Sequence, residues 1–488
     1  MTSNLLLGQE YEPWIGRATR RQFFDLGWCL SKYHNFDADY LCDYFFNRKS
    51  FDGDDWLDPS ANFDTRAYLQ AYPDVLAFPA HPLCHFLKFG DVESRFSFPQ
   101  LVQPAAMDAP DIWMESHRLD YTGAPMASWD LASLLKAAGV SVHVGSPFPG
   151  VLEVDFETLG SKTTVHGLSI LRAHSAEGYE AILNHAETCL KTARPKVLHA
   201  SSSHSAHWVL AAQKLGIPSV FVIHEPDPKI ETILHSTRIR DLVQAAFDAA
   251  GSVVFVAKPA IEAWAAEFTI ETKKLALIEK PAPVLPMELK AAKRDPDPSQ
   301  RLTILSVGTV SPRKDQNSMI EACLRLGKDG FGKMMELIIV GFGKDDYSKE
   351  LKAKAKTLRD FGVKLHLVSQ SETFEERQKV FRFFKKADVF VMTSRAETLP
   401  RTIAEAYQFH VPVIAPDSAG IGEMVQDGQT GFLYGLGDVE QLAALLKPDA
   451  DRKDVFAKLR KNMSTSKILP TAQASTQAYL DEYKKLWG

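Results

Sequence analysis

The feature that most constrains this chain is a rhythm that occurs twice. From about Asp111, short β-branched apolar runs alternate with stretches of helical period: DIWMES, the helical MASWDLASLLKAAG, SVHV, KVLHAS, the helical HWVLAAQKLG, SVFVIHE, SVVFVA and LALIEK. A polar stretch with two prolines, MELKAAKRDPDPSQ, interrupts the pattern from Met287 to Gln300. The alternation then restarts with LTILSVG, ELIIVG, KLHLV, ADVFVMTS and VPVIAP. Strands that read as continuous apolar runs are covered on both faces, so they belong to parallel sheets with crossover helices. A chain of 488 residues also exceeds what one core serves. The expected fold class is therefore α/β, with two doubly wound Rossmann-like domains facing a cleft, at 108–286 and 301–470, joined by a linker at 287–300. In residues 471–488, Tyr479, Leu480, Tyr483 and Leu486 share a helical face, which is expected to pack back on the first domain. Residues 1–107 are rich in aromatics and lack the alternation, so they read as a separate, mainly helical N-terminal module.

Composition narrows the function classes. Apolar residues at 45% and charged residues at 24% describe a folded chain, and a net charge of −5 makes nucleic acid an unlikely partner class. The five cysteines (Cys29, Cys42, Cys84, Cys189, Cys323) are odd in number, scattered and without a CxxC pair. That argues against a disulfide framework and a zinc site. No apolar run approaches the roughly 18 residues of a membrane span. The expected location is cytoplasmic, the inner membrane face included.

In open parallel sheets, ligands bind beyond the carboxyl ends of the strands, so the loops there carry the argument. The strand ending at Gly308 leads into GTVSPRKDQN, which sets Arg313 and Lys314 just before a helix beginning near Asn317. Two cations beside a helix N-terminus can hold a diphosphate, although a solvated pair looks the same in sequence. ELIIV is followed by Gly341-Phe342-Gly343, which either admits a ligand close to the backbone or makes a tight turn. ADVFVMTS runs into RAETLPRTIAEAYQF, with Glu397 in the loop and Glu405 inside the helix that Pro400 or Arg401 opens. DSAGIGEMVQDGQTGFLY adds small residues before a short helix and a DGQTG turn.

Taken in this order, residues 302 to about 446 resemble the retaining glycosyltransferase family four, the glycosyl transferases group 1, with its VG…K loop, E-x7-E element and GGxxE-like turn before DGxTGxL. The resemblance implies the GT-B fold and a set of roles. Glu397 would contact hydroxyls of the donor sugar and Glu405 the nucleotide ribose, while Arg313 and Lys314 bind the diphosphate. Gly308, Gly341, Thr398, Leu399 and Arg401 would complete the donor site. In the first domain, Gly123 and Ala124 of SHRLDYTGAP match the loop beneath the donor phosphates, and His224 matches a histidine at the donor sugar, making Glu397 and His224 the catalytic pair. Two departures stand out. Thr309 occupies the position where arginine is commonest, and Pro400 lacks an N–H that many relatives offer. The stretches DPSANFDTRAYLQAYPDV and HPLCHFLKFGDVESRFSFP resemble a small helical unit attached to bacterial glycosyltransferases, which reads as a packing or docking module for a protein partner.

The implied activity is transfer of a sugar from a nucleotide-diphosphate sugar to a glycan, lipid-linked or protein acceptor, with retention and with neither cofactor nor metal. The Asp-x-Asp triplets at Asp37, Asp52 and Asp295 lie in the N-terminal module or the linker, and His199, His204 and His207 lack zinc spacing. Two other readings remain open: a sugar-nucleotide epimerase on the same fold, and a non-catalytic carbohydrate-binding scaffold.

Overall fold

The computed structural model describes residues 24, 26–46, 56–60, 63–78, 80–90, 108–172, 176–280, 283, 301–371, 373–418, 420–449, 451–463 and 470–487. The proposed linker at 287–300, with its Asp295, lies outside them, as do Asp52 and several stretches of the N-terminal module.

The first sheet consists of β1 (Ile112–Ser116), β2 (Val142–Ser146), β3 (Lys162–Val165), β4 (Val197–Ser201), β5 (Ser219–Ile223), β6 (Ser252–Phe255) and β7 (Leu275–Leu277). They lie in the order β3-β2-β1-β4-β5-β6-β7. The second sheet holds β8 (Leu302–Val307), β9 (Met335–Phe342), β10 (Lys364–Ser369), β11 (Val389–Val391), β12 (Val413–Pro416) and β13 (Gly431–Tyr434) in the order β10-β9-β8-β11-β12-β13. Every named strand pair is parallel. Ile112 stands between Val142 and Val197, and Ile304 between Leu337 and Val389. These are two doubly wound α/β domains. Strand β3, KTTV, is absent from the list of strands read off the sequence: it is a short edge strand with one buried residue, so no apolar run marks it.

Both faces of each sheet are covered, which explains the unbroken apolar runs. Val220, Phe221, Val222 and Ile223 of β5 are all inaccessible to solvent. Phe221 packs on one side with Trp208, Phe247 and Trp264, and Val220 and Val222 pack on the other with Leu131, Leu135 and Phe156. Fully burying an aliphatic or Phe side chain contributes about 1.5–3 kcal/mol, so these layers dominate the stability of each domain. The second layer of the first sheet is completed by the helix Ala472–Trp487, whose Tyr479 and Tyr483 are buried there. Tyr483 Oη lies 2.7 Å from His199 Nδ1 in β4, and Ser252 Oγ donates to Glu482 Oε2 at 2.9 Å. His199 is therefore a packing residue, held neutral because burial lowers it to about 3.

In the N-terminal module, the helices Leu26–Lys32, Ala38–Phe46 and Thr65–Ala71 surround a separate aromatic cluster containing Phe45, Phe63 and Tyr68. Asp37 accepts from Tyr40 N at 2.8 Å, so that acid caps a helix. Among the described residues no helix is long and apolar enough to cross a membrane, and no group of three metal-ligating side chains occurs.

Candidate functional site

In each sheet the order reverses between the strand that starts the domain and its fourth strand, β1/β4 in one and β8/β11 in the other. Loops on opposite sides of that reversal part and leave a crevice. The two crevices open on one cleft of about 490 Å³, lined by Gly123, Ala124 and His224 from the first domain and by Gly308, Arg313, Lys314, Glu397, Thr398, Leu399 and Arg401 from the second.

Glu397 is the electrostatic centre of the second-domain wall. Its side chain is 12% exposed, and its Oε1 accepts from Arg313 Nη1 at 3.1 Å and from Lys314 Nζ. Burial alone would raise this carboxyl, but the charges of Lys314 and then Arg313 hold it below the ordinary value. Backbone stitching brings the three together. Arg395 N donates to Arg313 O at 2.9 Å, Thr393 Oγ1 donates to Lys314 O at 2.9 Å, and Arg313 Nη1 also donates to Ala396 O at 2.8 Å. The helix Gln316–Leu326 starts just beyond, so the cations precede a helix N-terminus.

Two glycines hold these loops at close range. A Cβ on Gly341 would lie 2.0 Å from Gly308 O, and its φ is +123°. Gly341 therefore supports the Gly308 turn from behind and does not line the cleft. At Gly420, φ is +78° and a Cβ would lie 1.9 Å from Thr398 O and 2.4 Å from Glu397 O, so the small-residue turn is the backing of the Glu397 loop.

Glu405 also lies behind the wall. It is fully buried in the helix Arg401–Gln408, and its Oε1 pairs with Arg377 and, at 3.0 Å, with Arg401 Nε. Its Oε2 has no hydrogen-bond partner among the described residues. Arg401 turns its Nη1 to the buried Asp130 on the first-domain helix Gly123–Ala137, so it bridges the domains. Thr398 Oγ1 adds a second bridge, donating to His224 O at 2.5 Å.

On the first-domain wall, His224 Nε2 lies 3.0 Å from Ser201 Oγ, while its buried Nδ1 has no partner among the described residues. Burial first, then the charge of Lys280, lowers its pKa well below the imidazole range, so the ring is neutral at pH 7. Glu225 accepts from Ser202 Oγ at 2.5 Å, Ser203 N at 3.0 Å, Ser203 Oγ at 2.9 Å and His224 N at 3.0 Å. It is buried, which alone would raise it, but the electrostatic interaction with His204, then the Ser202 hydrogen bond and the interaction with His117, hold it below its ordinary value. It shapes the His224 turn.

Four groups at the cleft had no part in the sequence reading. Asp130 could have been found, since an acid amid the buried Met126, Ala127, Leu131 and Ala132 of one helix needs a partner. His117 lines the cleft beside His204, with ring centroids 5.2 Å apart. Glu231 lines the first-domain mouth, and burial, then Glu225, raises it to about 7. Lys280 follows β7, an edge strand far from the reversal point, and carries no local signal. His207, by contrast, is buried in a helix.

Residues 121–281 match the family described as Glycosyltransferase Family 4, and residues 301–447 match Glycosyl transferases group 1. The amylovoran biosynthesis glycosyltransferase AmsK of Erwinia amylovora is 30% identical over 153 residues, 30% of this chain and 35% of that protein. The sulfoquinovosyl transferase SQD2 of Arabidopsis thaliana is 36% identical over 81 residues, 15% of this chain and 16% of that protein. The chain thus matches about a third of the first relative's length and less of the second's. Among solved structures, Anabaena Alr3699/HepE in complex with UDP and glucose is similar with a TM-score of 0.61 at 18% identity, covering 77% of this chain and 100% of that chain. The catalytic domain of Starch Synthase IV from Arabidopsis thaliana, bound to ADP and acarbose, gives a TM-score of 0.56 at 12% identity over 78% of this chain and 100% of that chain. With its two α/β domains in the GT-B arrangement and a family pattern matched in each, the chain belongs to the group 1, family 4 glycosyltransferases.

Proposed function

We propose that the cleft binds a nucleotide-diphosphate sugar and transfers its hexose, with retention and without a metal, to a hydroxyl of a glycan, lipid-linked or protein acceptor. The observation that carries this reading is the clamp of Arg313 and Lys314 on Glu397 at the reversal point of the second sheet. Without substrate, the two cations neutralise the carboxylate. An entering diphosphate competes for them and leaves Glu397 to accept from sugar hydroxyls. The C1–O bond to phosphate then breaks while a C1–O bond to the acceptor oxygen forms on the same face. The hydroxyl proton passes to the leaving phosphate, and the nucleoside diphosphate departs. Charge growing on that phosphate is stabilised by Arg313, Lys314 and the N-terminus of the helix Gln316–Leu326, groups already in place before reaction. Neutral His224 offers the sugar an uncharged hydrogen-bonding edge.

The UDP and glucose named with HepE support a nucleotide-sugar donor, and the amylovoran biosynthesis named for AmsK supports a role in polysaccharide assembly; the location we propose is cytoplasmic, at the inner membrane face if the acceptor is lipid-linked. The N-terminal module is assigned to docking a protein partner. A screen of UDP-, GDP- and ADP-sugars for hydrolysis and transfer, with and without EDTA, tests the proposal. The expected result is turnover of one donor class, unchanged by EDTA. Thr309 and Pro400 favour a second reading, a carbohydrate-binding scaffold; donor binding with no turnover on any acceptor would select it.

A further inference from the structure

Around the cleft, the ionised groups nearly all satisfy one another. Glu397 holds Arg313 and Lys314, Glu405 holds Arg377 and Arg401, Asp130 takes the rest of Arg401, and Glu225 is saturated by hydroxyl and backbone donors. Lys280 stands apart. It lines the cleft and also the smaller cavity beside it, which Gly123, Asp130, Leu399 and Arg401 border. No hydrogen bond or ion pair to its ammonium is found among the described residues. It is half-buried, and burial pulls it down to about 8 while the charges of Glu397 and Glu225 hold it up, so it is cationic at neutral pH.

Its position in the chain matters as much. Ile278 N donates to Phe255 O at 2.9 Å, which ties the strand before Lys280 to β6. Pro283 O, three residues beyond Lys280, accepts from Gln408 Nε2 at 2.6 Å, which ties the chain to the second-domain helix Arg401–Gln408. Lys280 thus sits on the segment that passes from one domain to the other, between the open N-terminus of the Gly123 helix, where a Cβ on Gly123 meets nothing within 4 Å, and the loop carrying Glu397. Glu397 and Glu225 act on it only through space, and a half-buried ammonium without a hydrogen-bonded partner is costly unless a ligand provides one.

We propose that Lys280 is a ligand for the donor's diphosphate, supplying from the domain crossover the cation that Thr309 does not supply from the second-domain loop. The assignment rests on the functional reading above. It makes diphosphate occupancy a tie between the two domains, since the same anion meets Lys280 on the crossover and Arg313 and Lys314 on the second domain.

The test is isothermal titration of the full chain with UDP, ADP and GDP, followed by the monophosphate and nucleoside of whichever base binds. In Lys280→Met, which keeps the length of the stem, diphosphate affinity should fall about 10- to 100-fold while nucleoside affinity is unchanged. Lys280→Arg should recover most of the loss. Equal diphosphate affinity in the parent and Lys280→Met overturns the assignment and leaves the functional reading standing. An equal loss for the nucleoside overturns it as well, because it marks a structural role. A parent that binds none of the diphosphates overturns the functional reading and Lys280's part in it together.

Discussion

Arg401 and Asp130 form an ion pair that crosses from the second domain to the first, and the same guanidinium holds Glu405 within its own helix through Nε at 3.0 Å. One side chain therefore couples the placement of the Glu397–Arg401 loop to the orientation of the domains. In Asp130→Asn, Arg401 keeps Glu405 but loses its cross-domain anchor. Removing one member of a buried pair costs about 3 kcal/mol, which a urea midpoint would reveal. The radius of gyration in small-angle scattering should rise in this variant and fall back on adding nucleoside diphosphate; an unchanged radius would show that the pair does not hold the cleft closed.

The clamp makes a two-sided forecast for Glu397→Gln. Turnover should drop by roughly 10²-fold or more, because a preorganised group aimed at the sugar is lost. Diphosphate binding should not weaken, since Arg313 and Lys314 are released from their internal partner. Calorimetry beside a turnover assay separates the two effects, and a parallel loss of both would refute the exchange.

Lys314 is the less exposed of the two cations, at 21% against 50% for Arg313. Desolvated charges interact more strongly, so Lys314→Ala should weaken diphosphate binding more than Arg313→Ala. The reverse ranking, measured at one salt concentration, would assign the main contact to Arg313.

Glu231 predicts a pH dependence of stability. Its folded-state pKa is raised to about 7 by burial and by Glu225, above the ordinary carboxylate value, so the folded chain binds the extra proton. Stability from this group is fully present below about pH 4.5 and is lost as pH rises towards 7. Glu231→Gln should therefore raise the denaturation midpoint at pH 7.5 and leave it nearly unchanged at pH 4.5. Equal gains at both values would rule out titration of Glu231 as the cause.

Gly341→Ala places a methyl group 2.0 Å from Gly308 O at a φ of +123°. Stability should fall by more than about 1 kcal/mol. Nucleotide affinity should fall as well, although residue 341 does not line the cleft, because the Gly308 turn must move. Unaltered affinity in a folded variant would uncouple the turn from the site.

The fold was legible where the physics is local. Strands covered on both faces must be apolar throughout, and DIWMES, SVFVIHE or ELIIVG announce this without help from the rest of the chain. KTTV did not, because an edge strand buries little. At the site, Glu397, Arg313 and Lys314 could be named from loops that follow strands, since the reversal rule converts sequence position into spatial position. What is not legible is direction. Gly341 and Glu405 belong to the right loops and helices but face backwards, one into the Gly308 turn and the other into a cluster of arginines. Asp130's apolar neighbours show that it needs a partner but not that the partner is Arg401 of the opposite domain, and Lys280 owes its place to the meeting of the two domains, which no window of neighbouring residues contains.

The helix Ala472–Trp487 has a consequence for how the protein is made. Tyr483 covers His199, 284 positions earlier in the chain, so the part of one face of the first sheet beside β4 and β5 stays uncovered until the whole second domain has left the ribosome. The first domain then waits, exposing the apolar patch between the helix Gly123–Ala137 and strands β4 and β5 that the two tyrosines will later seal. Such a nascent intermediate is a ready client for a chaperone, and truncation before residue 472 should yield a chain that aggregates while its second domain still folds.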